Sequence, residues 1–339
     1  MRVLLYPQFD RIENSVVPEP PPPGADEVTI AVAACGICGS ELEGFKTHSP
    51  RRTPPLIMGH EFCGVIAQVG GEVRDWRVGQ RVVSNALVPC GRCVRCERGD
   101  AHLCATRQIF GMNRQGAFAE RVNAPARCLL PWPDELTAAE ACLAEPLGNG
   151  VHVAQLTQHL PCTWVLVIGA GPIGLFCQQA LQVARGARVI VADLSDERLA
   201  VARSLGAVRT IRADLEDATA VVRELTQGEG ADLVVDAVGM AATKRGALDA
   251  ARPGGAVVWI GLHDNPMTLD SFAVTLPEKK VFGTYAAKVE DLKVALEWMR
   301  TRKVDAKSWT TCLPLVEAEQ AFRRALAAKG TDIKMIITP

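Results

Sequence analysis

Residues 165–175 read Val-Leu-Val-Ile-Gly-Ala-Gly-Pro-Ile-Gly-Leu, and this stretch decides the fold. An apolar run leads directly into the pattern GxGxxG, which marks the turn from a strand into a helix. Gly169 permits the tight turn, Gly171 allows the backbone to approach a pyrophosphate, and Gly174 allows the helix to pack closely on the strand. The positive end of that helix favours a bound phosphate. The stretch therefore predicts a dinucleotide site.

The sequence beyond this turn alternates between strand and helix signals. Short apolar stretches typical of strands occupy residues 164–168, 188–192, 233–236, 256–260 and 281–285. Helical apolar spacing occupies residues 173–184, 196–205 and 218–226. Alternation of this kind predicts an α/β fold built on a doubly wound parallel sheet, the Rossmann arrangement.

One acidic residue indicates which dinucleotide binds. Asp193 ends the second predicted strand, 19 positions after Gly174. A carboxylate there accepts hydrogen bonds from the adenosine ribose hydroxyls and repels a 2′-phosphate, so NAD is predicted in preference to NADP. Arg198 is either a contact to adenine or phosphate or a solvated helix residue, and the sequence favours neither.

The regions on either side of this sheet have a different character. Short apolar stretches bounded by Gly, Pro and charged turns predict a β-rich N-terminal region, with strands at residues 27–33, 64–69 and 81–84. After residue 286 the pattern predicts helices at 289–300 and 316–328 and a strand at 333–337. One nucleotide-binding sheet does not need these pieces, so we expect the C-terminal segment to fold back onto the first domain.

Length and composition exclude several classes of protein. A chain of 339 residues exceeds one comfortable hydrophobic core, which predicts two domains. The net charge is −1 and the basic residues are scattered, so no nucleic-acid partner is expected. The uncharged residues 160–184 contain prolines, glycines and glutamines, which argues against a membrane span. The opening residues do not resemble a secretion signal, and a cytoplasmic location is expected.

Four of the twelve cysteines lie within fifteen residues, at Cys90, Cys93, Cys96 and Cys104. Four thiolates at this spacing can close a tetrahedron around Zn²⁺ and leave no open position, which predicts a structural zinc. Four unliganded cysteines are a poor alternative, because the segment is rich in charge and free buried cysteine prefers apolar surroundings. An iron–sulfur cluster is the rarer metal alternative.

A second group of metal-binding residue types is dispersed along the chain and comprises Cys38, His60, Glu61 and Glu145. Spacing alone does not decide its role. Cys35 and Cys38 form a Cys-x-x-Cys pair that is equally typical of a redox couple, and a single histidine is more often structural than a ligand.

Several motifs in order resemble one family over essentially the whole chain. They are CGICGSE at residues 35–41, GHEFCGVI at 59–66, the four-cysteine lobe, EPLGNGVH at 145–152, VIGAGPIGL at 167–175 and VDAVG at 235–239. The chain resembles the zinc-containing medium-chain dehydrogenase/reductase superfamily, in the branch of sorbitol, galactitol-phosphate and threonine dehydrogenases.

The resemblance implies two zinc ions per chain and assigns their ligands. Cys38 and His60 would hold a catalytic zinc, Glu61 or Glu145 would complete the protein ligands, and Cys35 would be a core residue. The four-cysteine lobe, at about residues 88–106, would hold the structural zinc. The expected NAD contacts are Gly169, Gly171, Pro172, Ile173, Gly174, Asp193, Arg198, Val238, Gly261 and Leu262.

The resemblance also implies the domain plan and the assembly. A β-rich, GroES-like catalytic domain would occupy residues 1–150, a Rossmann domain residues 151–286, and residues 287–339 would return to the catalytic domain. The predicted strand at 281–285 would lie at an edge of the cofactor sheet, where two subunits could pair, and a homodimer or homotetramer is expected.

The implied activity is oxidation of a secondary alcohol to a ketone, and the reverse, by hydride transfer to NAD. The substrate would be a polyol, a sugar alcohol or its phosphate. Zinc would polarise the substrate oxygen and lower the pKa of the alcohol. Ser40 matches the hydroxyl residue that relays the proton in relatives, although a turn-forming serine is the alternative.

Two departures put the rest of the proton route in doubt. Relatives commonly have Asp at the position of Glu41 and His at that of Glu43, so Glu43 or solvent is left as the acceptor.

Other functions stay open as alternatives. The substrate could be threonine or a simple secondary alcohol, and the protein could be a zinc-free reductase or a non-catalytic NAD or zinc sensor. Finally, four residues make the loop after Cys38 basic, which suits either an anionic polyol or a solvated surface: Lys46, His48, Arg51 and Arg52.

Overall fold

The computed structural model describes residues 1–327, 330 and 332–339 and divides the chain into two units. Unit 1 comprises Met1–Glu145 and Lys288–Pro339, and unit 2 comprises Pro146–Ala287. The predicted helix end at residue 328 lies outside the described residues. In the part of the chain that is described, no helix has both the length and the apolar character needed to span a membrane.

The strands, in chain order, are β1 (Arg2–Gln8), β2 (Arg11–Val16), β3 (Glu27–Gly36), β4 (Leu56–Ile57), β5 (Glu61–Val69), β6 (Arg81–Ser84), β7 (Leu87–Val88), β8 (Gln108–Ile109), β9 (Arg121–Pro125), β10 (Leu129–Pro131), β11 (Trp164–Ile168), β12 (Arg188–Asp193), β13 (Arg209–Arg212), β14 (Ala231–Asp236), β15 (Ala251–Trp259), β16 (Lys280–Gly283), β17 (Thr310–Pro314) and β18 (Lys334–Thr338).

The α-helices are α1 (Gly39–Lys46), α2 (Val94–Glu97), α3 (Ala138–Ala141), α4 (Ala144–Leu156), α5 (Pro172–Arg185), α6 (Asp196–Ser204), α7 (Ala218–Leu225), α8 (Ala241–Ala250), α9 (Phe272–Thr275), α10 (Val289–Arg300) and α11 (Ala318–Ala327). Single turns of 3₁₀-helix cover Ala101–Leu103, Ala126–Cys128 and Leu315–Glu317.

Unit 2 is built on a six-stranded sheet in the order β13-β12-β11-β14-β15-β16. All the pairings are parallel, and β11 lies beside both β12 and β14. The interior of β11 is fully buried, as in a sheet covered on both faces, and this explains its unbroken apolar sequence. The strand order is that of a doubly wound dinucleotide-binding sheet, so the predicted fold class is confirmed.

The glycine-rich turn at residues 169–174 forms as predicted. β11 ends at Ile168, Gly169 takes a left-handed φ of +98°, and α5 begins at Pro172. Proline suits the first helical position because its missing N–H would have no partner there. Gly186 ends the helix in the left-handed conformation.

Unit 1 contains a seven-stranded mixed sheet in the order β10-β6-β5-β3-β18-β17, with β9 also paired to β3. β18 is antiparallel to β3 and parallel to β17, so a strand from the C-terminal segment lies in the interior of this sheet. Further strands form a three-stranded sheet, β2-β1-β4, and a pair, β7-β8. This β-rich unit matches the predicted character of the N-terminal region.

Candidate metal and cofactor sites

A thiolate, an imidazole and a carboxylate meet in unit 1. The donor atoms of Cys38, His60 and Glu61 all lie within 4.8 Å of one another. The antiparallel pairing of β3 with β5 sets Gly36 opposite Glu61, which brings the start of α1 next to the start of β5. His60 and Glu61 are buried and Cys38 is half-buried. This donor set is one that Zn²⁺ takes, and it leaves a fourth position for a substrate oxygen.

Glu145 does not belong to this cluster among the described residues. It is buried in the first turn of α4. Of the two glutamates that the sequence offered as alternative ligands, Glu61 is therefore the one that the structure brings to Cys38 and His60.

Glu41 orients the histidine. Its Oε1 lies 2.8 Å from His60 Nδ1 and accepts the N–H of Gly59, also at 2.8 Å. Its Oε2 accepts the N–H of Cys38 at 3.0 Å. A carboxylate on Nδ1 leaves Nε2 as the ring nitrogen available to a metal, and such a partner also strengthens the ligand. This role of Glu41 was not predicted, although its position three residues after Cys38, typical of a helix-capping carboxylate, is visible in the sequence.

Anionic groups surround His60. Burial by itself would lower the pKa of His60, but the charges of Glu41 and Cys38 raise that pKa well above its ordinary value. A metal cation at the same position would supply the positive charge that the anionic partners favour. The electrostatics therefore fit a cation held by Cys38 and His60.

Lys334 is a partner of Glu61 that the sequence did not predict. Its ammonium forms an ion pair with Glu61 and donates to the carbonyl oxygen of Ile37 at 2.8 Å. Both charged side chains are about 1% exposed. Burial would lower the pKa of Lys334, but Glu61 and Cys38 raise it above its ordinary value. The residue lies in a strand that the sequence predicted, yet an apolar strand pattern cannot show that one of its side chains faces a carboxylate.

Ser40 lies beside the metal cysteine and a buried arginine. Its hydroxyl donates to Cys38 Sγ at 3.4 Å and accepts from Arg52 Nη2 at 2.9 Å. Arg52 also donates to the carbonyl oxygens of Ser40 and Gly111, at 3.3 Å and 3.1 Å.

The basic loop predicted after Cys38 is therefore divided by the structure. The prediction that Arg52 is part of an exposed basic surface was wrong, because Arg52 is only 2% exposed and points at Ser40. His48 Nε2 lies 2.7 Å from Asp10 Oδ1. Lys46 and Arg51 are exposed.

The four cysteines of the lobe form the second metal cluster. The donor sulfurs of Cys90, Cys93, Cys96 and Cys104 lie within 4.8 Å of one another. Three of the Sγ–Sγ distances are 3.5, 3.9 and 4.0 Å. A tetrahedral zinc with Zn–S bonds of about 2.3 Å has edges of about 3.8 Å, so the four sulfurs fit this ion without rearrangement.

The surroundings of Cys104 favour its thiolate form. Burial by itself would raise the pKa of Cys104, but the N–H of Cys90 and the hydroxyl and N–H of Thr106 lower it to about 6. The N–H of Cys90 lies 3.4 Å from Cys104 Sγ. Thiolate is the form of cysteine that binds metal.

The glycine-rich turn of unit 2 has the shape that a pyrophosphate needs. A Cβ added to Gly174 would lie 1.7 Å from the carbonyl oxygen of Gly169, so only glycine fits there. A Cβ on Gly171 would meet no protein atom within 4 Å. Pro172 and Ile173 follow at the start of α5. The turn therefore offers open space at the N-terminus of a long helix, where a pyrophosphate is favoured.

Asp193 stands at the end of the neighbouring strand, beside the same turn. Its Oδ2 accepts the N–H of Ala170 at 2.6 Å, and its Oδ1 accepts the N–H of Ser195 at 2.9 Å. Arg198 lies half-buried in the first turn of α6. Arg212, on the next strand, is already paired with carboxylates of Asp196 and Asp214.

The remaining predicted cofactor residues lie at the carboxyl ends of β14 and β15. The N–H of Val238 donates to Asp236 Oδ1 at 3.1 Å. Gly261 packs so closely on Gly239 that a Cβ on Gly239 would lie 2.2 Å from the Gly261 carbonyl carbon. Leu262 follows and is exposed. All the predicted cofactor residues therefore lie at the carboxyl ends of sheet strands or in the loops and helices just beyond them, where ligands bind in open α/β sheets.

Comparison with protein families gives two matches. The model described as "Alcohol dehydrogenase GroES-like domain" matches residues 24–134. The model described as "Zinc-binding dehydrogenase" matches residues 172–301.

Individual relatives extend over nearly the whole chain. The chain is 32% identical to L-idonate 5-dehydrogenase of Vitis vinifera, over 92% of this chain and 88% of that protein. It is 35% identical to L-threonine 3-dehydrogenase of Bacillus velezensis, over 93% and 92% of the two chains. Among solved structures, galactitol-1-phosphate dehydrogenase of Escherichia coli superimposes with a TM-score of 0.90 at 27% identity and covers 100% of both chains.

Proposed function

This chain belongs to the zinc-containing medium-chain alcohol dehydrogenases, and on that premise we propose that it oxidises a polyol, a sugar alcohol or its phosphate at a secondary carbon, and catalyses the reverse reaction, with NAD as the hydride acceptor. The family predicted from the sequence motifs, and its zinc-dependent alcohol dehydrogenase activity, are thus confirmed. The observation that carries the proposal is the meeting of Cys38, His60 and Glu61 in one buried cluster.

The chain holds two zinc ions in this proposal. Cys38 and His60, with Glu61 as the third group, would hold the catalytic ion, and the four-cysteine lobe would hold the structural ion. When bound, the zinc polarises the substrate oxygen and lowers the pKa of the hydroxyl, while NAD accepts the hydride.

The protein residues orient the substrate and move its proton. Glu41 keeps His60 Nε2 directed at the ion through its hydrogen bond with Nδ1. Ser40 Oγ takes up the proton of the substrate hydroxyl as it releases its own hydroxyl proton, so it stays neutral, and the Arg52 guanidinium beside it favours that release. Glu43, half-buried on the same helix, or solvent takes the proton onward.

NAD is proposed over NADP because the surroundings of Asp193 are acidic. Asp196 and Glu197 follow closely, and the nearby Arg212 is paired with carboxylates, so it is not available to a 2′-phosphate. Asp193 would accept hydrogen bonds from the ribose hydroxyls instead.

We also propose a homodimer, or a tetramer of such dimers, formed through unit 2. β16 is an edge strand of the six-stranded sheet and is largely exposed. Three large apolar side chains near it are also exposed: Phe272, Leu276 and Val281. An unpaired apolar edge is the usual place for sheet pairing between subunits. A cytoplasmic location is supported by the twelve cysteines, none of which is joined in a disulfide.

The test is a screen of NAD reduction, combined with metal analysis of the same sample. Polyols, polyol phosphates, threonine and simple secondary alcohols are offered as substrates, with NADP in parallel with NAD. We expect two zinc ions per chain and turnover of a polyol or its phosphate. Threonine as the best substrate would instead favour the activity of the 35% identical relative.

Substitutions of Cys38 and His60 test whether the activity depends on the metal. Cys38→Ala and His60→Ala should each lose one zinc and about a thousandfold in turnover, because zinc supplies several kcal/mol of charge stabilisation. NADH binding, followed by fluorescence, should persist. Cys312→Ser, at an exposed cysteine outside both clusters, is the control. Unchanged turnover in the two alanine variants would rule out catalysis by zinc at this cluster.

A further inference from the structure

A polar cavity of about 480 Å³ lies in unit 1, lined in part by the loop of residues 109–113, whose Gly111 packs against Gly59. We propose that this cavity binds the anionic end of the substrate, the phosphate of a polyol phosphate or the carboxylate of a sugar acid. The inference rests on the proposed oxidation of a polyol and names the class of polyol. The residues that carry it are Arg51, Thr53, Arg107, Ile109, Met112 and Asn113.

The cavity wall is joined directly to the metal-binding residues. Gly111, next to Met112, has a left-handed φ of +66°, and a Cβ there would lie 2.8 Å from the N atom of Gly59. Gly59 immediately precedes His60. The carbonyl oxygen of Gly111, in the same loop, accepts a hydrogen bond from Arg52. The loop that lines the cavity therefore packs against the backbone that carries a zinc ligand.

The charge of the lining is positive. The cavity is lined by two arginines and by no acidic residue. Arg51 is exposed, and among the described residues its guanidinium has no carboxylate partner. Arg107 is half-buried and donates to the carbonyl oxygen of Cys104 at 2.9 Å, which anchors it on the cysteine lobe. Arg107 is thus held on the cysteine lobe and Arg51 is exposed, and both line a cavity that no acidic side chain lines.

Neutral hydrogen-bonding groups complete the lining. The Asn113 Oδ1 accepts the N–H of Ile109 at 3.2 Å, which leaves the amide nitrogen of Asn113 to donate. Thr53 contributes a hydroxyl that bonds the carbonyl oxygen of Pro50 at 3.3 Å. Guanidinium forks match the two oxygens of a carboxylate or phosphate, and a volume of this size accommodates such a group with part of its carbon chain.

The other basic side chains of this loop do not compete for the role. Arg52 is buried and its hydrogen bonds are made to Ser40 and Gly111. His48 lies against Asp10. Lys46 is exposed and is not among the residues that line the cavity, so Arg51 is the basic residue of this loop through which an anion would be recognised.

The experiment compares three substrates of the same carbon skeleton, using the zinc-loaded enzyme with NAD. They are a neutral polyol, its terminal phosphate and the corresponding sugar acid. We expect the wild type to prefer one anionic form in kcat/KM, and the preferred form identifies phosphate or carboxylate. Arg51→Gln should lower kcat/KM for that form by about ten- to a hundredfold, mainly through KM, and leave the neutral polyol unchanged.

Two matched variants make this result specific. Arg51→Lys keeps the charge and should recover part of the loss. Arg77→Gln removes the same charge from an exposed turn of unit 1 outside the cavity and should change nothing. Equal or better use of the neutral polyol by the wild type, or an equal loss on all three substrates in Arg51→Gln, overturns the inference and leaves polyol oxidation standing.

A direct binding measurement separates this inference from the proposed function. Inorganic phosphate and acetate are titrated into the same enzyme and followed by calorimetry. Weaker binding of either anion in Arg51→Gln than in Arg77→Gln supports the site, even when no polyol derivative is oxidised and the proposed function fails. Identical titrations of the two variants, or an absence of binding to the wild type, count against the site.

Discussion

At the scale of single residues, Glu41 makes the catalytic cluster rigid. One carboxylate accepts hydrogen bonds from the backbone on either side of the cluster, at Cys38 and Gly59, and from the ring of His60. It is completely buried, so water does not compete for its oxygens. Replacing Glu41 therefore changes how Cys38 and His60 are held, although neither of these side chains is itself altered.

Glu41→Gln should weaken zinc binding at the catalytic cluster by about ten- to a hundredfold. An amide has one acceptor oxygen in place of two, and its NH₂ group must face either the Cys38 N–H or the Gly59 N–H and His60 Nδ1. The measurement is zinc retention against a competing chelator. Glu72→Gln, on an exposed turn, is the control. Equal retention in both variants would show that Glu41 does not support the ligand.

The site residues that were predicted are determined by local sequence motifs. Those that were not predicted depend on tertiary structure. The motifs CGICGSE and GHEFCGVI fix Cys38, His60 and Glu61 locally, so the sequence was sufficient to find them. Arg51 and Arg52 are adjacent in an irregular loop, and no periodicity shows that one is exposed and the other buried. The pair formed by Lys334 and Glu61 depends on where β18 enters the sheet, which is a property of tertiary structure.

At the scale of elements, two positions of the turn between β11 and α5 require glycine for different reasons. Gly174 is required by packing, since no Cβ fits against the Gly169 carbonyl. Gly171 has an extended backbone with φ of −73° and open space beside it, so the protein alone does not require glycine there. Its requirement would come from the cofactor.

These two glycines should therefore respond differently to alanine. Gly174→Ala should lower the melting temperature, because α5 must move away from β11. Gly171→Ala should leave the melting temperature unchanged and weaken NADH binding, since the new methyl group occupies the approach to the pyrophosphate. Thermal unfolding and NADH fluorescence titration measure the two effects. A large loss of stability in Gly171→Ala would contradict this division.

Most strands and three helices of unit 2 were predicted. β11 has its predicted bounds, and α5 differs by one residue at each end. β13, α8, α9 and the extensively buried α4 were not predicted. β13 is a four-residue edge strand with two buried positions, and α8 has few buried side chains and a glycine at its centre, so neither has a long apolar pattern. In unit 1, the predicted helix from 316 begins instead as a 3₁₀ turn before α11.

At the scale of the whole molecule, the exposed edge of unit 2 predicts how subunits associate. Phe272→Asp together with Val281→Asp should convert the assembly to smaller species, because two charges would face their own copies across the paired edges. Light scattering coupled to size exclusion measures the mass. Val316→Asp, at an exposed apolar residue of unit 1, should leave the mass unchanged. A mass unaffected by the double substitution would exclude pairing through β16.

The interior position of β18 determines when the catalytic cluster is completed as the chain is synthesised. All six strands of unit 2 precede Lys334, so the parallel sheet can close while the mixed sheet of unit 1 still lacks one of its inner strands. Until β18 has left the ribosome, the buried charge of Glu61 has no cation beside it. A nascent chain stalled before Lys334 would thus bind the nucleotide before it could hold the catalytic metal in its final surroundings.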